Sequence, residues 1–144
     1  MRGITVRQPW AWQIIHQAKD VENRSRNIAG SYRGPVAIQA AKVYDEPAMR
    51  DLPMHAPEWV TAVRVFWPGV ILGVVDLVDV HHAASCADSP IQDDSCSPWA
   101  EPDAYHLVFA NPRPLAHPIP WRGALGLWTV PADLEAAIRE QASL

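Results

Sequence analysis

The chain has no uninterrupted apolar run approaching the roughly eighteen residues that a membrane-crossing helix needs. Its opening residues, Met-Arg-Gly-Ile-Thr-Val, lack the long apolar core and small-residue cleavage site of a secretory signal. The expectation is a soluble, cytoplasmic protein with no membrane partner. Cysteine is nearly absent: Cys86 and Cys96 are too few for a disulfide framework, and a cytosolic setting keeps them reduced. Glycine is also scarce, with seven residues against fourteen prolines. That ratio predicts short elements joined by stiff loops, as in a small barrel-like fold rather than a helical bundle. There is no internal repeat and no linker, so the 144 residues are read as a single domain, 1–144.

What is present is unevenly charged. The net charge is −4, yet residues 1–42 carry seven Lys/Arg (Arg2, Arg7, Lys19, Arg24, Arg26, Arg33, Lys42) against Asp20 and Glu22. Residues 76–103 carry seven acids and neither Lys nor Arg. A phosphate-bearing partner therefore meets the N-terminal third if those cations share a face.

Alternation predicts a half-buried strand over Gly3–Arg7. Pro9 then suits the start of a helix whose apolar face is Ala11, Ile14, Ile15 and Ala18. Lys19 falls at the end of that helix. An extended Val21–Ser25 projects Glu22 and Arg24 to one side. Further strands are predicted over Pro35–Ala41, Val70–Val80, Tyr105–Ala110 and Ala124–Val130. Helices are expected over Glu58–Trp67 and at 132–143, and residues 81–103 read as a long acidic loop. The fold class is α+β, mostly β, with about five or six strands in a partly closed barrel and two or three flanking helices.

Several stretches resemble the ASCH domain, a branch of the PUA-like superfold. They are Arg7-Gln-Pro-Trp-Ala, Lys19-Asp-Val-Glu22-Asn-Arg24, Tyr32-Arg-Gly-Pro35, Tyr105-His106-Leu-Val and Gly123-Ala-Leu-Gly126-Leu-Trp128. The likeness spans about residues 3 to 130. The family's Gly-x-Lys-x-x-Glu-x-Arg motif falls on Lys19, Glu22 and Arg24, with Gln17 at the glycine position. The resemblance implies a PUA-like pseudo-barrel with a cleft between the motif helix and the sheet. It also implies binding of RNA or of a modified nucleoside or nucleotide. Some small relatives are amidohydrolases that remove the acetyl group of N4-acetylcytidine, and a few others are ribonucleases. In the amidohydrolases the residue three after the motif lysine is a threonine nucleophile, whereas here it is Glu22, which shifts the expectation from covalent catalysis to water activation or plain recognition.

The candidate catalytic residues are Lys19, Glu22 and Asp76. Glu22 or Asp76 would activate water, Lys19 would steady an oxyanion, and Asp76, a carboxylate inside an apolar strand, would pair with Lys19. The bland alternative for Lys19, Glu22 and Arg24 is a structural ion-pair cluster pinning the helix end to a strand. Candidate ligand-binding residues are Gln8, Trp10, Arg24, Tyr32 and Arg33, with Trp12 and Trp128 as further stacking candidates. No cofactor is expected. His81, His82, Cys86 and Cys96 lack the Cys-x-x-Cys pairing of structural zinc sites, so no metal is assigned and a solvated loop is expected there. Three readings remain open: a nucleoside amidohydrolase, a non-catalytic RNA-binding module and a ribonuclease.

Overall fold

The computed structural model describes residues 1–51, 66–88 and 96–143. Six strands form one sheet in the order β2-β5-β4-β3-β1-β6. They are β1 (Arg2–Val6), β2 (Val21–Arg24), β3 (Gly34–Ala40), β4 (Val70–His82), β5 (Tyr105–Pro120) and β6 (Leu127–Thr129). The helices are α1 (Trp10–His16), α2 (Glu46–Arg50) and α3 (Ala132–Ala142), with a 3-10 turn over Ala83–Asp88. The expected mostly-β, PUA-like pseudo-barrel is the fold observed, with the sheet curled into half a barrel. Among the described residues no helix is long and apolar enough to cross a membrane.

Apolar residues of the sheet divide between two cores. Ile4, Val36, Ile38 and Leu77 pack with Ile14 and Ile15 of α1 on one face, while Ala37, Ile71 and Val74 pack with Leu134 and Ile138 of α3 on the other. Burying a side chain such as Ile138 contributes about 1.5 to 3 kcal/mol. Along β4 the face changes parity between Leu72 and Val75, both of which join the α1 core. The register shift against β3 at Ile38/Gln39, where Leu72 is the extra residue of β4, accounts for it, because a bulge inserts a residue and bends the strand. Gly73 belongs to this bend: a Cβ there would lie 2.6 Å from the Arg113 carbonyl oxygen and 2.8 Å from Ile15.

α1 ends at His16, so Ala18 is exposed beyond it rather than on its apolar face, and three further boundaries differ from expectation. β5 does not stop at Ala110 but runs on through Pro112, Pro114, Pro118 and Pro120. Its partner β2 reaches only to Val108, so beyond that point β4 is the one strand paired with β5 among the described residues, and a missing N–H is tolerated on the other edge. The last strand is shorter than 124–130, because Gly123 to Gly126 form a loop in front of β6. Much of 81–103 is structured: β4 continues to His82, the 3-10 turn follows, and residues 96–104 pack against β2 and β5. The helix expected over Glu58–Trp67 lies largely outside the described residues.

Candidate functional site

The chain passes from β1 into α1 through Gln8 and Pro9. The Gln8 side chain is fully buried, its Oε1 accepting from the Trp12 amide (3.0 Å) and its Nε2 donating to the Trp67 carbonyl (3.5 Å). Gln8 therefore serves as the local turn and cap residue and does not face a ligand. After α1, Ala18 adopts a left-handed conformation (φ 53°) that turns the chain so that the Lys19 amide bonds the Gln13 carbonyl. Gln17, at the glycine position of the motif, has φ −128°, which any L residue adopts. The substitution is therefore accommodated without strain.

This turn directs Lys19 inward and starts β2, on which Glu22 and Arg24 point the same way. The Lys19 ammonium is buried; it donates to the Val21 carbonyl, lies 4.0 Å from the Glu22 carboxylate, and faces the rings of Trp10 (5.5 Å) and Trp99 (5.6 Å). Arg24 bonds Glu22 at 3.0 Å and the Thr5 carbonyl at 2.9 Å. Burial pushes the Lys19 pKa down, against the attraction of Glu22, Glu101 and Asp20. It pushes the Glu22 pKa up, against Arg24 and Lys19. Both groups are thereby drawn toward their neutral forms, as is common where proton transfer is performed.

These residues floor an open cleft of about 1190 Å³. Trp10, Trp99 and Trp121 supply its aromatic surface, and Arg7, Lys42 and Arg122 join Lys19 and Arg24 as its cations. Asp45 holds Trp10 by accepting its indole N–H (3.1 Å) while capping α2 at the Ala48 amide (3.2 Å). Thr5 Oγ1, Gln39 Oε1 and Arg24 Nε are buried beside the cleft with no hydrogen-bond partner among the described residues. Gly123 closes over two of them, since a Cβ there would stand 2.2 Å from Thr5 Oγ1 and 2.3 Å from Gln39 Oε1.

Of the predicted site residues, the structure brings together Lys19, Glu22, Arg24 and Trp10. Asp76 is corrected: it pairs with Arg113 (2.6 Å) and Asn111 (2.9 Å), does not line the cleft and does not meet Lys19. The Arg113 guanidinium that binds it, with Asn111 helping, holds the Asp76 carboxyl below its usual pKa, the opposite of what a general base at neutral pH requires. Tyr32 and Arg33 are corrected likewise. The Tyr32 hydroxyl donates to the Pro35 carbonyl (2.8 Å), and Arg33 bonds the Gly30 and Tyr32 carbonyls and Asp79, so both secure the turn before β3. Trp12 is in the core and Trp128 packs over Gly3. The sequence reading missed Trp99, Trp121 and Arg122. The available signal was a tryptophan isolated in an otherwise polar acidic stretch, a costly exposure unless the ring covers something.

The expectation of a solvated loop at Cys86 and Cys96 is also corrected. Cys86 is buried, and its Sγ lies 3.3 Å from both His81 Nε2 and His106 Nδ1. Cys96 Sγ lies 3.2 Å from the same two nitrogens. His82 is not part of the group; its ring stacks edge-on against Tyr105. The segment that follows Cys96 then reaches the cleft. Ser97 donates to Asp20 (2.5 Å), and Asn23 donates to the Trp99 carbonyl (2.9 Å) while accepting from the Glu101 amide (3.1 Å).

No family model matches the sequence, and no curated protein matches it. Among solved structures, an ASCH protein from Zymomonas mobilis superposes on it with a TM-score of 0.54, covering 96% of this chain and 93% of that one at 12% identity. With its six-stranded curled sheet and its Lys19/Glu22/Arg24 cleft, the chain has the fold of the ASCH domain.

Proposed function

We propose that the cleft binds a modified nucleoside, or such a base presented by RNA, and hydrolyses its N4-acyl amide. The observation that carries this reading is the buried Lys19 ammonium, set between two indole rings and beside a carboxylate whose pKa is raised. An indole face offers about 1 to 3 kcal/mol of stacking to a base. The cleft cations would suit a phosphate but leave room for a small ligand, and the chain's net acidity disfavours a long polyanion.

The chemistry follows from the positions of the two charged groups. Glu22, held by Arg24, takes a proton from water as the water oxygen adds to the acyl carbon. Lys19 has three donors, one of them committed to the Val21 carbonyl, and it stabilises the resulting oxyanion. Glu22 then returns the proton to N4 as the carbon–nitrogen bond breaks, releasing cytidine and the carboxylic acid, which loses its remaining proton to solvent. A threonine nucleophile has no counterpart at this position, and Glu22 supplies the base instead.

The test is incubation with N4-acetylcytidine and with tRNA, followed by chromatography. Cytidine released by wild type and lost in Lys19→Ala and Glu22→Gln supports the hydrolase. Intact substrate with tRNA binding that weakens with salt and in Arg24→Ala would replace it by a non-catalytic RNA-binding module. Cleaved tRNA would replace it by a ribonuclease. The absence of both turnover and binding would overturn the assignment of the cleft.

A further inference from the structure

We infer that His81, Cys86, Cys96 and His106 form a closed, tetrahedral Cys2His2 site for a structural zinc ion, and that this ion holds one wall of the cleft in place. The inference is independent of what the cleft binds. The four ligand atoms all lie within 4.8 Å of one another, and the four sulfur-to-nitrogen separations are 3.2 to 3.3 Å. A tetrahedral ion with zinc–sulfur bonds of ~2.3 Å and zinc–nitrogen bonds of ~2.0 Å requires a sulfur–nitrogen edge of about 3.5 Å. The four edges need to lengthen by only about 0.2 to 0.3 Å to take the ion.

The surroundings prepare both imidazoles for this role. His106 Nε2 is 2.8 Å from the Glu101 carbonyl oxygen, which can only accept, so Nε2 carries the proton and Nδ1 presents its lone pair to the sulfurs. His81 Nδ1 is 2.7 Å from the Asp79 carboxylate, which fixes the other tautomer and turns Nε2 inward. A carboxylate on one ligand histidine and a backbone carbonyl on the other are the outer partners that metal-bound histidines characteristically use. Two thiols can donate only one proton each, so hydrogen bonding alone satisfies two of the four close contacts. Thiolate and imidazole ligands in a tetrahedron select zinc over hard cations, and four protein ligands leave no position open for substrate.

The ligands come from the end of β4, the 3-10 turn, the segment before Trp99 and the start of β5. They lie in the chain as His-x4-Cys-x9-Cys-x9-His, a spacing without the close cysteine pair of the common structural sites. Cys96 stands three residues before Trp99, and Pro98, Trp99 and Glu101 line the cleft. Fixing Cys96 and His106 therefore fixes the wall that faces Lys19.

The test is zinc content of reduced, purified protein by plasma mass spectrometry, together with cobalt substitution and competition against a chromophoric chelator. About one zinc per chain is expected. Cobalt should show the visible bands of a tetrahedral site and a sulfur-to-cobalt charge-transfer band. Cys86→Ser and Cys96→Ser should each abolish most of the binding, and His82→Ala should preserve it. Should the serine variants fail to fold, Asp79→Asn retains all four ligands and should weaken zinc ~10- to 100-fold. Wild type that takes up no zinc after reduction and reconstitution would overturn the site. So would metal content unchanged in both Cys86→Ser and Asp79→Asn, or cobalt bound without the charge-transfer band.

Discussion

Burial raises the pKa of Glu22 although Arg24 lies 3.0 Å away and Lys19 4.0 Å away, so desolvation outweighs both cations. The sign of the resulting pH dependence follows. A carboxyl whose folded pKa exceeds its unfolded value contributes most below the ordinary carboxylate range, and that contribution is lost as the pH rises through the raised folded value. A Glu22→Gln variant does not titrate there. The stability difference between wild type and variant, from urea midpoints at about pH 4 and about pH 7, should therefore move in favour of the variant as the pH rises. Movement toward wild type would mean that Arg24 and Lys19 repay the desolvation after all. The cluster itself was legible because Lys19, Glu22 and Arg24 fall within six positions just past a helix, and alternation alone put Glu22 and Arg24 on one side of β2. Asp76 was not: its partner Arg113 is 37 residues away, and no local pattern reports which carboxylate a bulged strand will turn toward a distant guanidinium.

The element that aims Lys19 is the exit of α1. Ala18 sits there at φ 53°, where a Cβ approaches the following carbonyl and costs an L residue about 1 to 2 kcal/mol. Ala18 is exposed, so glycine loses no packing at this position. Part of its gain is offset by the greater freedom of the unfolded chain. Ala18→Gly should thus stabilise the protein by about 0.5 kcal/mol, seen as a higher urea midpoint at unchanged slope, with ligand binding unaltered. A destabilised variant would show that the turn is not left-handed at this residue. The strands with an apolar face, β1, β3 and β4, were readable from alternation and β-branched content. The continuation of β5 past Ala110 was not, because proline tolerance depends on whether a second strand flanks that edge, which only the sheet order reveals. The same holds for the His81, Cys86, Cys96 and His106 cluster: its ends, far apart in the chain, meet only because β4 and β5 pair His81 directly with His106.

Over the whole molecule, a net charge of −4 coexists with a cleft bordered by Arg7, Lys19, Arg24, Lys42 and Arg122, against Glu22, Asp45 and Glu101. Four of these cations come from the basic N-terminal third and the fifth arrives from in front of β6, so folding concentrates a charge that the linear sequence only hinted at. Glu22 and Asp45 are occupied by Arg24 and by Trp10, which leaves Arg7, Lys42 and Arg122 to meet an incoming anion. Each phosphate neutralised by a protein cation steepens the fall of log K with log salt by roughly 0.7 to 0.9. For tRNA, Arg7→Ala and Arg122→Ala should therefore each flatten the salt slope by about one. Arg139→Ala should leave it unchanged, because Arg139 is engaged with Glu135 on α3, which lies against the opposite core. N4-acetylcytidine carries no phosphate, and its affinity should depend on Trp10 and Trp99 while staying nearly indifferent to salt. Titrations of both ligands from about 50 to 200 mM salt separate the two sources of affinity. Equal slopes for the two ligands, or an Arg139→Ala slope that falls with the others, would show that the cleft cations are not what an anionic partner meets.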